Sequence, residues 1–357
     1  MKRFNFLIAK ILVAMFLSLF SSYFYAFVVV DLYNILTPVE QDGNRLDNDD
    51  LLKIGLNKLL VKLSGNINFE DNEVIKLALQ NPKKYLQEYS LTKTSENNIE
   101  LKQGYNKLSI DNLIREAKLP TWGVSRPLAM LWIVAEQELG ERTIVSESEE
   151  GNNFLKSIKD YINKTANLRA LPIAWPLYDL DERQSISMKN LWNLDSKEVQ
   201  SISTKYRPDE LVVGKIYLDS DLWRIKWGYK DKVYSFEANK DNFLNELNTS
   251  FNEIINRIAE EYIFIPNKEK QENLDTDIVY MTVDNINNLN KLTILMDYLK
   301  NIKSISSFSL SQIEGKSVVL AIDLKASKEI FLKEIKLENK FVSIDNDAKT
   351  LSYRWVS

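Results

Sequence analysis

Histidine and cysteine are both absent from this 357-residue chain. Without cysteine there is no disulfide, iron–sulfur cluster, thiol nucleophile or lipoprotein anchor. Without histidine there is no Ser-His-Asp triad and no histidine-based zinc site. The usual acid–base group at neutral pH is missing too. Any catalysis would rest on carboxylates, lysine, tyrosine or serine. Glycine (10) and proline (8) are scarce, which excludes collagen-like and low-complexity classes. Nor is there an excess of positive charge: 46 Lys and Arg face 50 Asp and Glu, for a net charge of −4. A mildly acidic chain in which lysine far outnumbers arginine argues against a nucleic-acid partner. What the chain does have is 45% hydrophobic residues, enough at this length for cores in two or three domains.

The N-terminus carries the strongest single signal. Lys2, Arg3 and Lys10 are basic, Ile11 to Phe20 is an uncharged apolar run, and Ser21, Ser22 and Ala26 follow. That order reads as a secretory signal peptide over residues 1–26. Phe24 is bulky where the cleavage pattern favours a small residue. Ile11 to Val30 is free of charge, and so long a stretch could span a bilayer as an uncleaved anchor. Both readings place the body of the chain outside the cytoplasmic membrane, in the periplasm, anchored if the segment is kept. Removing residues 1–26 takes away three cations and no acid, so the net charge goes from −4 to −7.

Three modules of mixed α/β and α+β class follow. The first, 27–118, reads β-α-α-β-β-α. It comprises a strand at Phe27 to Leu32, a leucine-faced helix from Leu51 to Leu63 ended by Gly65, and a helix near Asn72 to Leu79. Two strands flank Glu96-Asn97-Asn98, and a last helix covers Ile110 to Ala117. Residues 119–127 form a junction with two prolines and a glycine, which no single helix accommodates. The middle module, 128–265, opens on Leu128 to Ala135, a continuous apolar run and so a strand covered on both faces. An acidic loop, Glu136 to Gly151, precedes a helix over Asn152 to Asn167 and a strand at Leu171 to Trp175. That is a βαβ unit with parallel strands. A helix at Ser196 to Lys205, three strands to Glu237 and a helix over Asp241 to Tyr262 complete it. A charged linker, 266–276, separates the third module, 277–357, whose βαββαβ order is ferredoxin-like.

Several pieces together carry a resemblance. They are Leu59-Leu60-Val61-Lys62-Leu63-Ser64-Gly65, Leu119-Pro120-Thr121-Trp122-Gly123, Arg126-Pro127 and Leu171-Pro172. Pro176-Leu177, Asp179-Leu180-Asp181, Trp192, Tyr206, Val213-Gly214, Trp223 and Trp227 complete the set. In these the chain resembles a bacterial family catalogued as domain of unknown function 2066. The resemblance implies an exported protein of the Gram-negative envelope and no assigned activity. In its order of elements the middle module is distantly similar to the N-terminal domain of TolB, an architectural likeness that carries no function.

Few residues stand out as candidate chemistry. Asp179, Asp181 and Glu182 form the tightest acidic cluster. Asp179 and Asp181 could ligate a hard cation such as Ca²⁺, but a turn with a helix N-cap is the plainer reading and needs no ion. Glu147, Glu149 and Glu150 read as a solvated charge run. No carboxylate pair is singled out for glycoside hydrolysis. Six of the seven tryptophans lie between 122 and 227. Trp132 and Trp175 sit in apolar runs. Trp223 and Trp227, four apart in one strand, share a face that either covers the core or presents a stripe for glycan binding. Trp122 reads as a plug between the first two modules, and Arg126 as a junction salt bridge or carbonyl clamp. Gly214-Lys215 and Gly315-Lys316 lack the spacing of a phosphate loop.

The sequence thus points to an exported envelope protein without cofactor or metal, acting as a non-enzymatic adaptor or assembly factor through an envelope protein partner. A glycan- or peptidoglycan-binding module built on exposed aromatics, and a carboxylate-based hydrolase, are the alternatives.

Overall fold

In this computed structural model the described residues are 32–264 and 278–356, apart from 42–43, 46, 66–68, 70, 94–97, 124, 137–139, 148–151, 338 and 345–350. The expected signal segment, all of the strand at 27–32 except Leu32, the linker 266–276, Glu149 and Glu150 lie outside them. Among the described residues no helix is long and apolar enough to cross a membrane.

The first module runs β1 (Asn34–Pro38), β2 (Glu40–Gln41), β3 (Asn44–Arg45), α1 (Asn48–Ser64), α2 (Glu73–Gln80), β4 (Leu86–Lys93), β5 (Ile99–Tyr105) and α3 (Lys107–Glu116). Its main sheet is antiparallel in the order β1-β5-β4, with β2 and β3 a separate small hairpin. Asp47 starts α1 by accepting the Asp50 amide, and Asp49 and Asp50 in the first turn complement the helix dipole. Leu52, Leu56, Leu59, Leu60 and Leu63 of α1 are buried. The helix stops at Gly65, whose φ of +66° is the left-handed C-cap conformation.

The middle module contains β6 (Thr121–Trp122), β7 (Ala129–Glu136), β8 (Arg142–Val145), α4 (Asn153–Arg169), β9 (Ile173–Ala174), α5 (Leu180–Ser185), α6 (Met188–Trp192), α7 (Ser196–Ser203), β10 (Glu210–Asp219), β11 (Leu222–Tyr229), β12 (Lys232–Asn239), α8 (Phe243–Ala259) and β13 (Ile263–Phe264). The sheet order is β12-β11-β10-β7-β8, with β9 also pairing β7. Both β9 and β10 run parallel to β7, as the βαβ reading requires. The central strand β7 is covered on both faces: Leu131 and Ile133 meet the core that includes α4 and α8, while Met130, Trp132 and Val134 meet the one that includes α6 and α7.

The third module runs β14 (Ile278–Asp284), α9 (Leu289–Leu299), β15 (Ile305–Glu314), β16 (Ser317–Leu324), α10 (Lys328–Leu337), β17 (Phe341–Ser343) and β18 (Leu351–Trp355). The sheet order is β15-β16-β14-β18-β17. The mixed α/β, multi-module architecture read from the sequence is the one observed.

Five details differ. Strand β1 at Asn34–Pro38 and the small β2–β3 hairpin fill the stretch between residue 32 and α1, where no element was expected. The acidic loop after β7 contains β8, which pairs antiparallel with β7 and buries only Ile144 and Val145, too short a pattern to read as a strand. The junction is not without regular structure, because β6 pairs with β13 across the far end of the middle module. Two short helices, α5 and α6, occupy the segment between Pro176 and Trp192 where no element was expected. In the third module the last strand, β18, inserts parallel to β14 with β17 outside it, whereas a plain ferredoxin-like sheet is antiparallel throughout. Three-residue β17 has one inward side chain, Phe341, and no periodicity to betray it.

Candidate functional site

The residues singled out at the junction converge on one place, the C-terminal end of α1. A helix end leaves backbone carbonyls without intrahelical partners and carries the negative end of the dipole. Two guanidinium groups of the middle module meet that end. Arg126 donates from Nη2 to the Lys62 carbonyl at 2.6 Å and is nearly buried. Arg169, in the last turn of α4, donates from Nη2 to the Gly65 carbonyl at 2.5 Å. It also reaches Asn252 Oδ1 at 2.9 Å and Asn256 Oδ1 at 2.8 Å, both on α8. Arg126 is therefore the carbonyl clamp expected of it. Arg169 was not expected. Its signal was available: Ile158, Ile162, Ala166 and Arg169 occupy the buried stripe of α4, so the arginine stands at an apolar-face position.

Trp122 is the plug. It is 1% exposed and packs against Gly65, where an added Cβ would sit 3.1 Å from the indole Cε3. Its ring lies 4.1 Å under the Arg126 guanidinium, a cation–π contact in a dry place. The third module closes the other side with Glu334. Its carboxylate accepts the Lys303 and Ser304 amides, at 2.9 Å and 3.0 Å. It lies so close to Gly123 that a Cβ there would come within 2.6 Å of Oε1. Burial pushes the Arg126 pKa well below its ordinary value. Nearby Arg169 adds to the fall, and Glu334 opposes it. Burial likewise pushes Arg169 down to about 10, so it stays protonated at neutral pH. The arrangement ties the end of α1 to the middle module with directed, charge-assisted hydrogen bonds, and Glu334 of the third module packs beside it at Gly123.

Other candidate residues are placed elsewhere. Asp179 is the N-cap of α5, accepting the Glu182 amide at 3.0 Å. Glu182 is buried, accepting the Tyr178 amide and the Tyr206 hydroxyl, and pairs with Lys205 at 2.9 Å. This is an N-cap joined to an ion pair. Asp181 lies exposed in the first turn. Lys205 and the capped amide hold the Asp179 carboxyl below its ordinary value. Among the described residues no group of three His, Cys, Asp or Glu is placed to hold a metal ion. Glu147 pairs with Lys159.

Trp227 is fully buried, its Nε1 donating to Ser250 Oγ at 3.1 Å. Trp223, on the same face of β11, is half-buried between Phe154 and Phe243, with ring centroids 5.2 Å and 4.5 Å away. The two tryptophans cover the core and offer no paired platform for a sugar ring.

Residues 26–123 match a family model described as a domain of unknown function (DUF8605). That stretch takes in the first module and ends at the junction glycine next to Trp122. No curated protein matches the chain.

Proposed function

We propose that this is an exported protein of the cell envelope that works as a non-enzymatic adaptor or assembly factor, docking a strand of a partner protein. The observation that carries the reading is the β4–β5 hairpin. Strand β4 is the outermost strand of its sheet, so among the described residues its outer backbone edge pairs with no strand. Tyr89 and Leu91 pair with Gln103 and Leu101, whose side chains point into the core. They therefore lie on the core-facing side of the sheet, yet Leu91 is 60% exposed and Tyr89 54%. Ile99, across from Lys93, extends the same patch. An apolar inner face beside an open edge suits an extended partner segment. Main-chain bonds would supply affinity and alternate apolar side chains specificity. Export is supported by the basic and apolar N-terminal segment.

The test is site-directed photocrosslinking of the tagged full-length chain in its own cells. A crosslinker at Leu91 is expected to give a discrete protein adduct in envelope fractions. One at Leu289, exposed on a different module, is expected to give none, and Tyr89→Ser should abolish the first adduct without lowering the thermal midpoint. Equal labelling at both positions, labelling at neither, or turnover of peptidoglycan or peptide substrates by the purified protein would overturn the proposal.

A further inference from the structure

A second feature lies where α3 of the first module meets the third. Between them is a crevice of about 640 Å³, whose lining includes Lys107, Lys300, Lys303 and Lys325 with one acid, Asp111. Asp111 is spent on Lys303, at 2.9 Å and 3.0 Å, and on the Tyr33 hydroxyl at 2.9 Å. Lys300 is spent on Asp297 at 2.8 Å. Lys107 donates only to a neutral amide oxygen, that of Asn301, at 3.3 Å. Lys325 has no hydrogen-bond partner for its ammonium among the described residues. Among the described residues neither Lys107 nor Lys325 is in an ion pair, and the crevice wall also presents Ser306, Ser307, Met296 and Phe308. Burial pushes the Lys325 pKa down, Lys303 and Arg115 add to the fall, and Asp111 and Glu334 oppose it.

We propose that this crevice binds a phosphate group carried on an apolar moiety, with Lys107 and Lys325 supplying the counter-charge and Met296 and Phe308 the apolar contact. The charge favours the ligand: two ammonium groups outside any ion pair among the described residues suit a phosphate monoester dianion better than a monocarboxylate. Lysines act here as point charges, which suits phosphate and needs no planar fork. The inference stands apart from the adaptor reading, because neither the β4 edge nor a protein partner enters it.

The experiment titrates the purified mature chain by calorimetry with inorganic phosphate and, separately, with dihexanoyl phosphatidic acid below its micelle concentration. Binding is expected with both, tighter by tenfold or more for the lipid. Lys107→Gln with Lys325→Gln should weaken the lipid at least tenfold while leaving the thermal midpoint in place. Lys189→Gln, on α6 of the middle module, should change nothing. Equal affinity for the two probes would keep the phosphate site and assign it to a free anion, removing the apolar part of the proposal. No binding of either, or binding that the double variant leaves intact, would overturn it.

Discussion

Trp122 is worth more than its size alone suggests, because it fills the space between Gly65, the Arg126 guanidinium and the core of the middle module. Trp122→Ala should leave a cavity that the backbone cannot close, since Gly65 and the clamped carbonyls are fixed. The expected loss is about 3–5 kcal/mol, the range for large-to-small changes in a core. Equilibrium denaturation checks it, and new protease sensitivity near 119–127 should accompany it; wild-type melting would place the indole in solvent. Residues of this kind were legible beforehand. Trp122 and Arg126 sit among prolines, where neither helical nor alternating period explains a large side chain, so a junction role was the remaining reading. Arg169 was not legible in the same way. A basic residue in a helix's last turn ordinarily complements the dipole of its own helix, and only the apolar spacing of α4 marks this one as turned inward.

At the scale of the element, α1 shows two propensities in conflict. Gly55 lies inside a 17-residue helix, where alanine would be favoured by about 1 kcal/mol. Its missing side chain is occupied by the Gln103 amide, which a Cβ would overlap deeply. Gln103 is fully buried and cannot leave cheaply. It donates to Thr37 Oγ1 at 3.0 Å and to the Leu51 carbonyl at 3.2 Å, and accepts from the Tyr105 hydroxyl at 2.7 Å. Displacing it strands several buried polar groups at about 1–3 kcal/mol each, which exceeds the helix gain. Gly55→Ala should therefore destabilise the protein. In a Gln103→Ala background the same change should become neutral or stabilising, and a double-mutant cycle of chemical denaturation would show that reversal. If the two changes simply add, the amide does not require the glycine. The long elements were readable because their periodicity runs for several turns or strand repeats. β8, β9 and β17 expose or share most of their few side chains, so only pairing with a longer neighbour defines them.

The modules are joined by electrostatic contacts that pH can test. Glu261, just beyond α8, takes Lys333 of α10 and pairs with Lys230 at 3.2 Å. Lys333 first, opposed by some burial and then joined by Lys230, holds the Glu261 carboxyl below its ordinary value. A carboxyl with a depressed folded pKa stabilises the folded form above its unfolded pKa, and that stability is lost as pH falls through the folded value. Docking of the third module on the middle one should hence weaken on acidification through and below the usual glutamate range. Hydrogen exchange of α10 amides should rise there more steeply in the wild type than in Glu261→Gln, which has already lost the ion pair. Identical pH profiles would remove Glu261 from the interface.

Arg169 helps to set whether the first two modules unfold together. Among the described residues its guanidinium bonds both the capped end of α1 and two residues of α8, so with Arg126 it joins the two modules by hydrogen bonds as well as by apolar area. Replacement by methionine keeps much of the packed stem and removes three donated bonds. Each acceptor left dry costs about 1–3 kcal/mol. Relief from burying an arginine beside Arg126 returns part of that, leaving a net loss of roughly 2–4 kcal/mol. One of the three lost bonds, that to the Gly65 carbonyl, crosses between the modules, and the two to Asn252 and Asn256 are lost between α4 and α8; the apolar cores are spared, since Leu56, Leu59 and Leu60 stay packed in one module and Phe251, Ile254 and Ile255 in the other. Scanning calorimetry of the wild-type chain should accordingly show these two modules melting in one transition, and Arg169→Met should split it in two, the lower one carrying the exchange of α1 amides. A single transition in the variant, displaced or not, would mean that the Arg126 clamp, Trp122 and the surrounding apolar contacts suffice to hold the modules together.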